Sequence, residues 1–372
     1  MDFTHTTLGQ RVLFGAGRAA QHVGAEIDRL GASRPMIIAA PQERALAATA
    51  TAGTTAALWW DEVVQHVPIE VAETARTAAA EHRIDVMVCV GGGSTTGLAK
   101  AVALTTGIPI IAVPTTYAGS EATDVWGMTQ DRTKTTGVDD RVLPVAVVYD
   151  PELSRTLPLK LSVASGLNGL AHCVDSLWAP RADPINQALA LEGARALALA
   201  LRGIVADPED LTAREQALYG CYLAAVSFAS AGSGLHHKIC HVLGGSFDLP
   251  HAQTHAVVLP LVLALNAPAV PELTGRLATA LGSAPGEDTE VQPQRRAADC
   301  VDALRDLCAD IGAPSRLSDY GFTTGDLPEA VGRVLSCAPG SNPAPVDEQS
   351  ITALLTAALT GSALAQTHPA VV

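Results

Sequence analysis

Lysine is nearly missing from this 372-residue chain, which has only Lys100, Lys134, Lys160 and Lys238. Lysine and arginine together number 24 against 38 acidic residues, so the formal net charge is −14. No Lys/Arg-rich stretch offsets that field, which excludes nucleic acid as an expected partner. An acidic protein also repels acidic substrates, so any anion site has to be a local pocket. There is no CxxC, and seven cysteines form an odd set without framework spacing. Reduced thiols in a cytoplasmic compartment are therefore expected, with Cys89 in DVMVCV serving as a small buried hydrophobe. The N-terminus lacks a basic segment followed by an apolar stretch, and no window of about 18 residues runs without polar punctuation. Neither a signal peptide nor a membrane span is expected. Internal repeats and long low-complexity tracts are missing too.

What is present suits a globular enzyme: 48% hydrophobic and 17% charged residues. The length favours two domains. Up to about residue 150, short apolar runs (11–14, 35–40, 85–90, 108–114, 143–150) alternate with helical patterns such as 19–30 and 72–83. Such alternation predicts a parallel sheet with right-handed crossovers, covered on both faces. An antiparallel hairpin is expected from Trp126 to Val142. From Pro158 onward only helical periodicity remains, broken by Gly and Pro, with polar loops at 283–294 and 337–347. The expected architecture is an α/β, Rossmann-like parallel-sheet domain over 1–157 followed by an all-α domain over 158–372.

Two glycine-rich elements compete for a dinucleotide. GAGRAA (15–20) has the G-x-G-x-x-A form, but the next strand ends with Ala40, Pro41 and Gln42 where a ribose-binding acid belongs. VCVGGGSTTGLAKA (88–101) runs a buried strand into Gly91, Gly92 and Gly93, with Ser94 as the expected N-cap of a helix. A plain turn needs one glycine, so three favour a phosphate. The following strand ends in VPTTYAGSEAT (113–123), a hydroxyl cluster where open α/β sheets bind ligands.

Histidines are concentrated. Five of the eleven lie between His236 and His255, and His172 stands in SGLNGLAHCVDSLWA. On helices, Asn168 shares a face with His172, and His237 with His241. Clustered imidazoles suggest a metal site, a proton-transfer site or an anion site.

In order and spacing, the GGGS element, PTT-x-x-GSE-x-T and the YDP-x-L-x-x-x-LP boundary resemble the iron-containing alcohol dehydrogenase superfamily over nearly the whole chain. The resemblance implies an NADH- or NADPH-dependent oxidoreductase. It gives the pyrophosphate to Gly91, Gly92, Gly93 and Ser94, and the ribose and nicotinamide to Thr115, Thr116, Ser120 and Lys134. Its metal pattern falls on His172, His237 and His251, but the aspartate position is Asn168, which brings no charge to a dication. No metal is therefore expected.

SGLN-x-x-AH, PTTYAGSE, Trp126-Gly127 and GLHHKICHVLGG are similar to the maleylacetate reductase branch, which implies reduction of the conjugated double bond of an unsaturated oxo-diacid. On that reading His237 or His241 donates the proton or holds the enolate. Asn168, His172 and His251 line the substrate site, and Lys238 or Arg132 neutralises a carboxylate. A small dicarboxylate substrate and a homodimer are implied, with no membrane or nucleic-acid partner. The alternatives are a metal-dependent alcohol dehydrogenase of the same superfamily and a lyase like dehydroquinate synthase.

Overall fold

A computed structural model describes residues 2–130, 133–283 and 293–364. The α/β unit takes Thr7–Pro158 together with Pro208–Leu218, and the other described residues form a helical unit.

In the α/β unit the chain runs β1 (Arg11–Phe14), α1 (Ala19–Leu30), β2 (Pro35–Ile38), α2 (Arg44–Ala50), β3 (Leu58–Trp60) and α3 (Ile69–Glu81). It continues through β4 (Val86–Gly91), α4 (Gly93–Thr106), β5 (Ile110–Pro114), the hairpin strands β6 (Val125–Gln130) and β7 (Thr133–Val138), and β8 (Ala146–Tyr149). Six strands form one parallel sheet in the order β1-β8-β5-β4-β2-β3, while β6 and β7 pair antiparallel.

Side-chain alternation explains the two covered faces. Val86, Val88 and Val90 of β4 pack with α1 and α2, whereas Met87 and Cys89 pack with α3 and α4. Each such buried branched side chain contributes roughly 1.5–3 kcal/mol. Helix ends follow local chemistry: Gly31 closes α1 and Gly107 closes α4, both in the left-handed conformation. β2 leads outward to β3 at the sheet edge, and β4 leads to β5 on its other side. The ends of β2 and β4 therefore flank a switch point, where open α/β sheets bind ligands.

The helical unit comprises α5 (Leu159–Ser176), α6 (Pro184–Ala206), most of α7 (Leu211–Ala231), α8 (Leu235–Phe247), α9 (His251–Asn266), α10 (Pro271–Ala280), α11 (Pro293–Asp310), α12 (Leu327–Cys337) and α13 (Glu348–Thr360). α9 is its centre. One face packs with α5, α6, α10 and α11, and the other with α8, α12 and α13. The stretch His251–Ala269 is long and apolar enough to cross a membrane by length and composition, yet 67% of its most apolar window is buried against this unit. That burial is what a core helix shows. The start of α6 is set by Pro184 and by Asp183, whose carboxylate accepts from the amides of Ile185 and Asn186. None of the seven cysteines is in a disulfide, and Cys89 is buried.

Three details differ from the sequence reading. β3 was not anticipated, being a three-residue edge strand. The strand expected over 35–40 stops at Ile38, because Pro41 opens a single 3-10 turn. Most of the loop expected at 283–294 lies outside the described residues.

Candidate active site

The two glycine-rich loops of the α/β unit turn out to differ in what their amides already bind. At GAGRAA, the buried Asp150 carboxylate accepts from the amides of Gly17 at 2.8 Å and Ala19 at 3.0 Å. An internal anion thus fills the N-terminus of α1. At the GGGS loop the N-cap is Gly92, with no side-chain cap. Ser94 lies inside the first turn of α4 and does not cap it, contrary to expectation, because the helix already begins at Gly93. The first amides of α4 are left for an outside acceptor, and the helix dipole favours an anion there. Packing itself demands two of the three glycines. Gly91 has φ +155°, and a Cβ there would collide with Thr95 and Glu43. A Cβ on Gly92 would meet Thr116 Cγ2 at 2.9 Å. Gly93 is exposed, with Ala118 Cβ at an ordinary 3.8 Å, so the fold does not require it.

The hydroxyl loop is held rigidly beside this one. Thr115 donates its amide to Gly91 O. Tyr117 is fully buried, and its hydroxyl receives a 2.9 Å bond from Arg214 Nη1. Glu121 accepts from Tyr149 at 2.8 Å. Lys100, buried on α4, donates to Thr123 O, Thr123 Oγ1 and Val125 O at 2.7–3.0 Å. Burial pulls its pKa down to about 7, opposed by the charges of Glu121 and Asp124. Thr116 and Ser120 are half-buried on the same loop. Lys134 pairs with Thr129 through the hairpin backbone, and Arg132 lies outside the described residues.

The acid missing after β2 is found one residue further on. Glu43 accepts from Thr115 Oγ1 at 2.7 Å and lies 3.5 Å from Thr95 Oγ1, against Gly91. Burial raises its pKa, and the two threonine hydroxyls hold it back. The 3-10 turn carries the carboxylate to this point, and nothing local in PQER announces it.

In the helical unit, α5 supplies Asn168, His172 and Asp175, all buried on one face. Asp175 was not singled out in the sequence. Its Oδ2 lies 2.7 Å from His237 Nδ1 and accepts from the amides of Gly234 and His237. It therefore caps α8 in place of the side chain that Gly234 lacks, and a Cβ on Gly234 would come within 2.5 Å of it. Burial pushes the Asp175 carboxyl up to about 7, restrained by the amides of His237, Gly234 and His236. Burial also drives His237 well below 6.5, aided by His172, His236, His241 and His251, so its imidazole is neutral. With Nδ1 turned to the carboxylate, Nε2 is the free lone pair, and it is buried without a hydrogen-bond partner.

The other imidazoles gather around it. His172 stacks on His237 at 4.8 Å with planes 15° apart, and Phe228 covers both rings at 4.7 and 4.3 Å. Burial lowers His172 to about 4. His241, half-buried, stands edge-on to His237 at 6.1 Å, and His251 meets His255 at 4.3 Å. Lys238 is half-buried and acts electrostatically on Asp175. Phe228 and His255 were also missed as neighbours, since they come from α7 and α9 with no shared spacing.

A divalent ion must lie near the plane of each imidazole that binds it. The rings of His172 and His237 stack nearly parallel at 4.8 Å, and the buried Asn168 Oδ1, without a hydrogen-bond partner, adds no charge. An amide where the resemblance places a carboxylate fits a divalent ion poorly.

Residues 9–151 match the iron-containing alcohol dehydrogenase family, and residues 162–359 match the C-terminal part of the Fe-containing alcohol dehydrogenase family. A maleylacetate reductase of Sphingobium indicum is 42% identical over 363 residues, covering 97% of this chain and 98% of its own. Among solved structures, an iron-containing alcohol dehydrogenase from Corynebacterium glutamicum is 54% identical with a TM-score of 0.91, covering 96% of this chain and 97% of that one. The maleylacetate reductase from Rhizobium sp. strain MTP-10005 is 40% identical with a TM-score of 0.86, covering 97% and 99%. This chain belongs to the iron-containing alcohol dehydrogenase family.

Proposed function

We propose that the chain is a maleylacetate reductase: an NAD(P)H-dependent oxidoreductase that reduces the conjugated C=C bond of maleylacetate to give 3-oxoadipate. The relatives named for that activity support it over nearly the full length. The observation that carries it here is the histidine cluster built around Asn168, which offers proton donors and hydrogen bonds where the family's metal pattern has an aspartate. An unactivated carbonyl needs a Lewis acid, whereas an enone flanked by its own carbonyl accepts hydride directly.

Hydride from the nicotinamide adds to the carbon β to the ketone, the C=C π pair becomes an enolate, and the cofactor leaves as NAD(P)+. A proton then adds to the α carbon. We assign that proton to His241, because it is half-buried and can reach a substrate, while His237 is buried and pinned by Asp175. His172, His251 and Asn168 hold the enolate and one carboxylate, with Lys238 or Arg132 near the second. Gly93, Ser94 and the Thr115–Ser120 loop hold the dinucleotide, with Lys134 at its ribose. Glu43, a carboxylate beside the phosphate loop, favours NADH by repelling a 2′-phosphate. The reaction runs without metal. Seven cysteines outside any disulfide suit a reducing cytoplasm, and we infer a homodimer with no nucleic-acid or membrane partner.

The test is loss of NADH absorbance on adding maleylacetate, before and after chelation. Turnover that survives chelation and falls in His241→Ala supports the reading. No NADH oxidation by the wild-type protein removes it, and turnover abolished by chelation removes the metal-free mechanism.

A further inference from the structure

Behind the cluster just described lies a second group of possible ligands. His236 and Cys240 stand four residues apart on one face of α8, and His255 faces them from α9. All three are buried, and their ligand atoms (a ring nitrogen from each histidine and the Cys240 Sγ) lie within 4.8 Å of one another. His236 Nε2 is 2.9 Å from His255 Nδ1 and 3.6 Å from Cys240 Sγ. In a tetrahedral zinc site, bond lengths near 2.05 Å to nitrogen and 2.3 Å to sulfur separate N from S by about 3.6 Å and N from N by about 3.4 Å. The sulfur is already at that spacing from His236 Nε2 and lies within 4.8 Å of the His255 nitrogen, and the two nitrogens need to part by about 0.5 Å.

From this geometry we infer that His236, Cys240 and His255 form a binding site for a thiophilic dication of the zinc class, distinct from the family's metal position. His236 Nδ1 and His255 Nε2 have no hydrogen-bond partner, so the shared N–H of the present pair can shift to its own ring's far side when both inner nitrogens give their lone pairs to a metal. Burial and the Asp175 charge hold the Cys240 thiol well above 9, and it releases its proton to solvent as the dication binds. Three protein ligands leave one open position. His172 and Asn168 take no part.

The experiment reads the metal and leaves turnover aside. Metal-free protein is loaded with Co2+ and passed through gel filtration, then measured for bound cobalt and for thiolate-to-cobalt charge-transfer absorption in the near ultraviolet. One cobalt per chain with that absorption is expected. Cys240→Ala and His255→Ala should lose both, and His172→Ala should keep both, with circular dichroism and NADH binding reporting the fold. Because a core variant can fail to fold, the wild-type zinc form is also examined by X-ray absorption, where one sulfur and two imidazole nitrogens are expected. A nitrogen- and oxygen-only shell, no retained metal, or a charge-transfer band that survives Cys240→Ala overturns the assignment.

Discussion

The two units differ in how many buried imidazole nitrogens they leave without a hydrogen-bond partner: one, on His22, in the α/β unit, and several in the helical unit, among the described residues. In the α/β unit, Lys100 has three acceptors, Glu121 a tyrosine hydroxyl, Asp150 two amides of α1, and Glu43 two threonine hydroxyls nearby. The helical unit instead buries His172, His236, His237 and His255 with ring nitrogens that have no hydrogen-bond partner. Such atoms cost roughly 1–3 kcal/mol each, so a fold retains them where a ligand or a proton is to meet them. The contrast matches the proposed division of labour, in which fixed backbone of one unit would hold the cofactor and the unsatisfied imidazoles of the other would meet the substrate.

Substitutions should break along that line. The largest effect is expected from Asp175→Ala, which strips the α8 cap and the His237 partner together. It should cost about 2–4 kcal/mol, a lost helix cap of about 1 kcal/mol together with buried N–H groups left without their acceptor at about 1–3 kcal/mol. Urea unfolding measures this, and a loss under 1 kcal/mol would mean that Asp175 is dispensable. Next is Gly93→Asp, for which the fold has room. A carboxylate at the α4 N-terminus should weaken NADH binding about 100-fold while leaving the thermal midpoint in place. Fluorescence titration checks it, and unchanged affinity would show that the loop does not hold the phosphates.

pH should separate the units in a third way. Burial lowers His172 to about 4 and His236 to about 3, and drives His237 and His255 well below 6.5. Between pH 6.5 and 4 the unfolded chain binds more protons at these four groups, so their contribution to stability falls as pH drops. The raised carboxyl of Asp175 acts in the opposite direction over pH 4 to 7, one group against four. Protection factors, which divide out the slowing of intrinsic amide exchange in acid, should therefore fall in α5, α8 and α9 before β4 and β5 as the pH drops from 6.5 to 4. An equal fall in both units would erase the contrast. The smallest expected effect is Glu43→Gln, which should raise the NADPH-to-NADH ratio of kcat/KM about 10-fold by removing one repulsive charge. An unchanged ratio would remove Glu43 from cofactor choice.

Much of this was legible beforehand because periodicity is local. The span of α1 and the cores of the apolar strands follow from alternation and from glycine stops, and the all-helical half follows from the loss of that alternation after Asp150. The site was legible only where its residues share a helix, as Asn168 and His172 do. Asp175 lies on the same face but outside the usual ligand spacing. The approaches of Glu43 to Gly91, of His255 to His236 and of Phe228 to His172 each join separate elements, and no local pattern encodes them. Pattern favoured the GGGS loop over GAGRAA, but it did not reveal that Asp150, more than 130 residues away, occupies two amides of the GAGRAA segment.

That carboxylate makes GAGRAA a receptor already carrying its own ligand. Asp150 follows the last strand of the sheet and also tethers the first helix, so the closing of the sheet and the filling of that helix N-terminus are one event. Replacing it with alanine would uncover two amides at the α1 N-terminus, and free sulfate or phosphate would then compete for a place the chain normally reserves for itself.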